Sequence, residues 1–186
     1  MKRTACCCLL ILAASMIYAQ TPEIERFLDT MKMGGSYLID KDMREFKASS
    51  TEGRVYSSED LKNKITFINF WFAACSPCMA EMNALEQLHE KFKDNARFQF
   101  LSFTFEKKEE IEKLALRYKM SYPIISLSQD DCSYLNQGKG YPVTIIVDRN
   151  GKMVFFNYGG STDPEQAEAS FKTYLYPLLI SLLKCP

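Results

Sequence analysis

One stretch of the sequence constrains the fold more than any other: an apolar run that leads directly into a pair of cysteines. Residues 65–72 read ITFINFWF, with Asn69 as the only strongly polar residue. A run without polar alternation is typical of a strand that is buried on both faces and is therefore central in its sheet. Cys75-Ser76-Pro77-Cys78 follows it. Apolar residues then recur at the spacing of one helix face: Met82, Leu85, Leu88 and Phe92.

The rest of the chain predicts strands that alternate with helices. Further strands are predicted at 97–103, 122–127, 143–147 and 153–156, and further helices at 109–118, 132–137 and 164–184, the last bent near Pro177. Irregular strands are expected within 36–59, around a turn at 51–53. Asp148-Arg149-Asn150-Gly151 predicts a hairpin turn, because Asn-Gly tolerates the positive φ that such a turn needs. We therefore expect an α/β fold: a central mixed sheet with a parallel core, helices on both faces, and a C-terminal β-hairpin plus helix.

The first residues have the pattern of a secretory signal peptide. Lys2 and Arg3 precede an apolar run over 5–18, and Ala19 offers a small residue for cleavage. The run is shorter than the roughly 20 residues that a membrane-spanning helix needs. A lipoprotein signal using Cys6 to Cys8 and an uncleaved anchor are the alternatives. The predicted organisation is a signal peptide at 1–19, an N-terminal extension with a short amphipathic helix at 20–35, and one domain at 36–186.

Cleavage leaves four of the seven cysteines, namely Cys75, Cys78, Cys132 and Cys185. An even number of cysteines in an exported chain suggests disulfides, and four allow three pairings. The short spacing favours Cys75 with Cys78. For Cys132 and Cys185 two interpretations stay open: a second disulfide that closes a long loop, or two separate thiols.

Charge and histidine content exclude other classes of function. Lys and Arg total 23 and so do Asp and Glu, so the chain lacks the basic excess expected of a nucleic-acid-binding protein. His89 is the only histidine, which excludes a multi-histidine metal site, and no metal is expected. Its neighbours Glu86 and Glu90 suggest that it lies on the exposed side of its helix.

The position of the cysteine pair indicates redox chemistry. A helix N-terminus presents unpaired N–H groups and the positive end of the helix dipole, and both stabilise a thiolate. Cys75 is therefore the expected nucleophile in disulfide exchange, and Cys78, one turn further into the helix, is expected to resolve the mixed disulfide. The alternatives are an inert disulfide or half of a zinc site, which would need a second pair of ligands.

The stretch 67–78, FINFWFAACSPC, resembles the thioredoxin superfamily, and in particular the exported TlpA/ResA-like thiol–disulfide oxidoreductases. The resemblance extends over roughly 46–184 and implies a thioredoxin-like fold. Asn69-Phe70-Trp71 matches the strand that precedes the cysteines in this family, and the turn at 148–152 matches its hairpin. One departure is Ala74, where the family often has tryptophan.

The resemblance also implies roles for other residues. Pro142 matches a cis-proline that faces the cysteines, and the backbone of Tyr141 is expected to pair with an extended client. Trp71 is expected to lie in the core and to form part of the wall of the substrate site. Glu81 matches a glutamate three residues after the second cysteine. Its pKa would rise on burial, so that it exchanges a proton with Cys78; the alternative is a solvated glutamate.

The expected protein is a thiol–disulfide oxidoreductase of the cell envelope, exported to the periplasm and without a cofactor. Protein disulfides and dithiols would be its partners, a reducing role is favoured over an oxidising one, and a membrane electron donor and a monomeric state are expected. A peroxidase on the same fold is an alternative, but Phe72 stands where such an enzyme needs threonine or serine. A copper carrier of the Sco type is another; it needs wider cysteine spacing and a distal histidine.

Overall fold

The computed structural model describes residues 36–184, and its centre is the strand expected from residues 65–72. The strands are β1 (Lys47–Ser49), β2 (Val55–Ser57), β3 (Ile65–Trp71), β4 (Phe98–Thr104), β5 (Ile124–Ser126), β6 (Val143–Val147) and β7 (Met153–Tyr158). The helices are α1 (Ser76–Phe92), α2 (Lys108–Tyr118), α3 (Gln129–Leu135), α4 (Pro164–Ser170) and α5 (Tyr176–Lys184). The predicted signal peptide and N-terminal extension lie outside the described residues.

Five strands form the main sheet in the order β5-β4-β3-β6-β7. Strands β3, β4 and β5 run parallel to one another, whereas β6 lies antiparallel to β3 and β7 antiparallel to β6. Every residue of β3 is buried, as expected of a central strand without polar alternation. The mixed sheet, its parallel core and the C-terminal hairpin are therefore confirmed.

The two faces of the sheet are covered differently. Helices α1 and α2 and the C-terminal helical region pack on one face, through buried residues such as Leu85, Ile111 and Leu179. On the other face, the short helix α3 contributes Leu135. The segment of residues 38–61 completes the cover, with buried residues such as Leu38. The same segment protects the sheet edges, since the Asp40 N–H donates to the Met153 carbonyl on β7 and the Thr51 N–H donates to Ile124 on β5. Both bonds pair edge groups that would otherwise be open to another chain.

Two helices depart from the prediction at their ends or in their course. Helix α3 begins at Gln129 rather than near residue 132, because the Ser128 hydroxyl accepts the Asp131 N–H and caps it. The C-terminal helix widens into a π-helical turn at Phe171–Leu175, ahead of the expected bend at Pro177. Pro177 lacks an N–H group, so the regular hydrogen-bond ladder must be interrupted there. None of the helices within residues 36–184 is both long and apolar enough to cross a bilayer.

The hairpin turn forms at the predicted residues, but the asparagine of the Asn-Gly pair does not supply a positive φ. Only Gly151 in this turn has a positive φ, at 83°. The Asp148 carboxylate accepts the N–H groups of Asn150 at 2.8 Å and Lys152 at 2.9 Å. Asp148 therefore holds the turn by its side chain, and the left-handed conformation is needed at the glycine alone.

A buried hydrogen bond fixes the end of β3, where the cysteine loop begins. The Trp71 indole N–H donates to the Ser102 hydroxyl at 2.8 Å, and both residues are fully buried. Ser102→Ala leaves the indole N–H without an acceptor, and we expect a loss of about 1–3 kcal/mol in the free energy of unfolding. Urea titration of the oxidised protein measures this loss.

The matched control for Ser102→Ala is the same substitution in a Trp71→Phe chain. This chain has no indole N–H that the loss of the serine could leave without an acceptor. There Ser102→Ala should cost much less, and the difference between the two costs is the coupling between the side chains. An equal cost in both backgrounds would mean that the serine acts through packing alone.

Candidate active site

The cysteine pair lies where the sequence predicts, between the end of β3 and the first turn of α1. Cys75 is the N-cap residue of α1, and its Sγ accepts the Cys78 N–H at 3.2 Å. Ser76 and Pro77 occupy the first helical positions, where an N–H group has no partner within the helix and proline is tolerated. Cys75 and Cys78 form a disulfide, the pairing that their spacing favours.

The two sulfur atoms sit in different surroundings. Cys75 retains 5% of its accessible surface and Cys78 only 1%, while the flanking residues Ala74 and Ser76 are exposed. A groove of about 440 Å³ runs past this end of the helix. Its walls are formed by Ala73, Ala74, Ser76, Met79, Ala80, Tyr118, Thr162 and Pro164. Cys75 is therefore the more accessible of the two cysteines.

The loop before β6 faces the site with a cis peptide bond between Tyr141 and Pro142, as the resemblance implies. The Tyr141 ring packs edge-on against Phe72, with centroids 5.2 Å apart, and against Phe105 at 5.6 Å. Phe72 precedes the cysteine loop, so these rings join the proline loop to the cysteine loop. Tyr141 is half-buried and Pro142 is buried.

Glu81 is buried on α1, one turn after Cys78, with 7% of its surface accessible. Its Oε2 has no hydrogen-bond partner among the described residues. Burial raises the pKa of this carboxyl to about 8, because a desolvated carboxylate is disfavoured. The predicted buried glutamate is therefore confirmed, and the alternative of a solvated side chain is wrong.

A cavity of about 240 Å³ lies on the other side of Glu81, between the sheet and the C-terminal helical region. Thr144 on β6 and Asn157 on β7 contribute polar groups to it, and these residues are register neighbours. Phe171 and Leu175 of the π-helical turn close its apolar side. Glu81 thus sits between the cysteine pair and a cavity that offers alternative polar partners.

Glu106 is a site residue that sequence reasoning missed, because a run of charges at 106–112 is typical of a solvated helix start. Its half-buried carboxylate accepts the Ala73 N–H at 2.7 Å. Its own carbonyl accepts the Ser126 hydroxyl, also at 2.7 Å. Glu106 therefore ties the loop that carries the cysteines to the ends of β4 and β5. The partners are 33 residues apart in the chain, and no local sequence signal reports such a contact.

Trp71 and His89 are both more buried than exposed site residues would be. Trp71 lies in the core, as expected, and has no accessible surface because it ends a strand that is buried on both faces, so its ring is not exposed in the wall of the site. His89 is half-buried rather than exposed, with its ring edge-on to Phe100 and Tyr122 and its Nδ1 3.0 Å from the Ser121 hydroxyl. This packing explains why His89 is half-buried, although its neighbours Glu86 and Glu90 suggested an exposed position.

The placement of His89 bears on the copper-carrier alternative. It lies on the same helix as Cys78 and eleven residues further along, which is about 16 Å at the rise of an α-helix. An imidazole and thiolates that share one metal must approach it to about 2.0–2.3 Å. His89 and the cysteine pair therefore cannot ligate one ion in this arrangement.

Cys132 is a free thiol with no accessible surface. Burial raises the pKa of the Cys132 thiol to about 12, because desolvation disfavours the thiolate, so Cys132 remains protonated and unreactive near neutral pH. The interpretation of Cys132 as a separate thiol is the one that the structure supports. Cys185 lies outside the described residues.

A cysteine pair that caps the helix after a central strand, opposite a cis-proline, is the arrangement of thioredoxin-fold thiol–disulfide oxidoreductases, and this molecule is one of them. The AhpC/TSA family model matches residues 39–156, more than half of the chain, and the protein belongs to that family.

Individual relatives agree with this class. The chain is 29% identical over 147 residues to the thiol-disulfide oxidoreductase ResA of Bacillus anthracis. The matched region covers 78% of this chain and 82% of that protein. It is 30% identical over 109 residues to ResA of Geobacillus thermodenitrificans, covering 59% of this chain and 63% of the relative. A solved thiol:disulfide interchange protein from Bacteroides sp. superposes with a TM-score of 0.57 at 26% identity, over 74% of this chain and 90% of that one.

Proposed function

We propose that this protein is exported to the cell envelope and there reduces disulfides in client proteins. The observation that carries the proposal is the asymmetric cysteine pair, with Cys75 at the helix cap, Cys78 behind it and a buried glutamate one turn further on. Export rests on the signal peptide predicted for residues 1–19. The relatives named ResA support the same class of chemistry.

The reaction begins with the Cys75 thiolate. It attacks one sulfur of a client disulfide, so that a Cys75–client disulfide forms, the client disulfide breaks and one client thiolate leaves with a proton from solvent. The Cys78 N–H stabilises the attacking thiolate, as it now donates to Cys75 Sγ at 3.2 Å. Cys78 then attacks Cys75 Sγ, which restores the Cys75–Cys78 disulfide and releases the second client thiol. The client gains two electrons and the protein loses two.

Glu81 handles the proton of Cys78. Before it attacks, Cys78 must lose its proton inside a buried site, and Glu81 lies three residues along on the same helix face. Burial raises the Glu81 pKa to about 8, so its carboxylate is a stronger base than a solvated carboxylate and is better suited to accept a proton from a thiol. In the reverse half-reaction, protonated Glu81 returns the proton to the departing Cys78.

The backbone of Tyr141, held by its ring contacts, binds the client as an extended strand beside Pro142, and the groove next to Cys75 accepts the side chains around the client cysteine. A membrane-bound dithiol donor reduces the pair after each turnover. The protein acts as a monomer on protein disulfides and dithiols in general.

The test is the equilibrium redox potential of the Cys75–Cys78 pair in the mature chain. We expect a redox potential of about −250 mV, which lies within the range of reducing thioredoxin-fold proteins. A strong oxidant of this fold has a potential of about −120 mV. Dithiothreitol titration with mass-resolved alkylation measures it. A value near the oxidising end would overturn the reducing direction, and a pair that cannot be reduced and reoxidised would overturn exchange altogether.

A further inference from the structure

Gly160 follows β7 and lies against the site, yet it does not need to be glycine for its backbone conformation. Its neighbour Gly159 has a φ of +79°, a left-handed value that disfavours other residues, whereas Gly160 has no such φ. A requirement for glycine at position 160 must therefore come from space and not from backbone freedom.

The missing side chain of Gly160 points at Glu81. A Cβ atom built there would come far inside van der Waals contact with Glu81 Oε1, and would lie 3.3 Å from both Glu81 Cδ and Pro142 Cγ. Gly160 thus covers the carboxyl of Glu81 and touches the cis-proline at the same place. The clash falls on the end of a flexible side chain, so the chain can relieve it by moving the carboxyl and keep its fold.

We infer that Gly160 is a positioning residue for Glu81: it leaves the space that the carboxyl occupies beside Pro142, and any larger residue moves the carboxyl away. The inference deepens the proposed function, since it rests on Glu81 as the proton-exchanging group of that site. The cavity that Glu81 lines together with Thr144 and Asn157 offers space for the displaced carboxyl.

The move changes the chemistry of the carboxyl. The Thr144 hydroxyl and the Asn157 amide can donate hydrogen bonds to a carboxylate. In its present position, Glu81 Oε2 receives no such hydrogen bond from the described residues. Donors to the charged form lower a pKa. We therefore expect the Glu81 pKa to fall from about 8 in the native chain. In Gly160→Ala we expect a value below about 7.

The measurement is a carbon-13 NMR titration of the glutamate carboxyls in the oxidised full chain, with the Glu81 signal assigned by its loss in Glu81→Gln. A fall of the Glu81 pKa in Gly160→Ala supports the inference, and an unchanged value overturns it. This readout does not depend on turnover. If Glu81→Gln exchanges disulfides as fast as the native protein, the proposed proton role fails while the positioning result still stands.

Gly159→Ala is the matched control. A Cβ at Gly159 meets nothing within 4 Å, so this substitution strains the backbone without touching Glu81. It should lower the melting temperature and leave the Glu81 titration in place. An equal shift of the titration in both variants would mean general loosening of the segment and would overturn the inference.

A double variant covers the case in which Gly160→Ala alone does not fold. Glu81→Asp shortens the side chain by one methylene and makes room for the added methyl group. Gly160→Ala in the Glu81→Asp chain should therefore fold with the melting temperature of Glu81→Asp itself. It should also change the rate of disulfide exchange less than about twofold, against a larger loss in the native background. Failure of the double variant to fold would show that Gly160 is needed by the backbone.

Discussion

Cys78→Ser is expected to arrest the protein on its client as a covalent complex. Cys75 remains at the helix cap with its thiolate stabilised, so the first attack proceeds, but no second thiol is present to resolve the mixed disulfide. Turnover should fall by at least about a thousandfold. The measurement is mass spectrometry of the variant incubated with an oxidised client peptide, in which the adduct mass equals protein plus peptide and maps to Cys75.

Cys75→Ser and Cys132→Ser are the controls for this trap. Cys75→Ser should give no adduct, because Cys78 retains only 1% accessible surface and a client cannot reach it. Cys132→Ser in the Cys78→Ser chain should trap as much client as Cys78→Ser alone, since the buried Cys132 thiol has a pKa of about 12. Adducts at Cys78 in Cys75→Ser would reverse the assignment of nucleophile and resolving cysteine.

The centre of the fold could be predicted because its signals are local. The absence of polar alternation in residues 65–72 placed β3 in the middle of the sheet, and the cysteine pair with a helical stripe behind it placed the site at a helix cap. Glu81 was indicated by family resemblance and by its position three residues after Cys78 on the same helix face, which by itself left a solvated side chain open. The cis bond at Pro142 came from family resemblance, because a proline at the start of a strand is compatible with either isomer.

What could not be predicted depends on contacts between distant parts of the chain. The Glu106 carboxylate looks solvated in sequence, and only the parallel pairing of β3 with β4 brings it to the Ala73 N–H. The π-helical turn at Phe171–Leu175 lies against the cavity beside Glu81, whereas the sequence shows only that Pro177 must disturb the helix. Residues 38–61 cover the second face of the sheet, but their sequence has no helical or strand periodicity that would predict this.

Glu81→Gln should make the protein more stable than the native chain at alkaline pH and should flatten its dependence on pH. Burial raises the Glu81 pKa from 4.5 to about 8, so the folded state holds this proton more tightly than the unfolded state does. The native chain therefore loses stability as the pH rises from about 4.5 to about 8, and the loss is complete above that range. The expected size of this loss is roughly 5 kcal/mol. Urea unfolding of the oxidised protein at several pH values measures it, because the disulfide-bonded cysteines do not titrate.

The comparison between variants isolates Glu81 from the other groups that titrate over this range. Burial lowers the pKa of His89, which adds a gain in stability as the pH rises through the histidine range, but this gain is the same in both chains and cancels in their difference. Glu90→Gln on the same helix is the matched control: Glu90 is exposed and pairs with Lys93 at 2.6 Å, which holds the pKa of its carboxyl below the ordinary value. Removing that carboxylate should give no stabilisation at high pH. Parallel curves for Glu81→Gln and the native chain would mean that the Glu81 carboxyl is solvated in the folded protein, and the proton exchange proposed for Cys78 would then lose its physical basis.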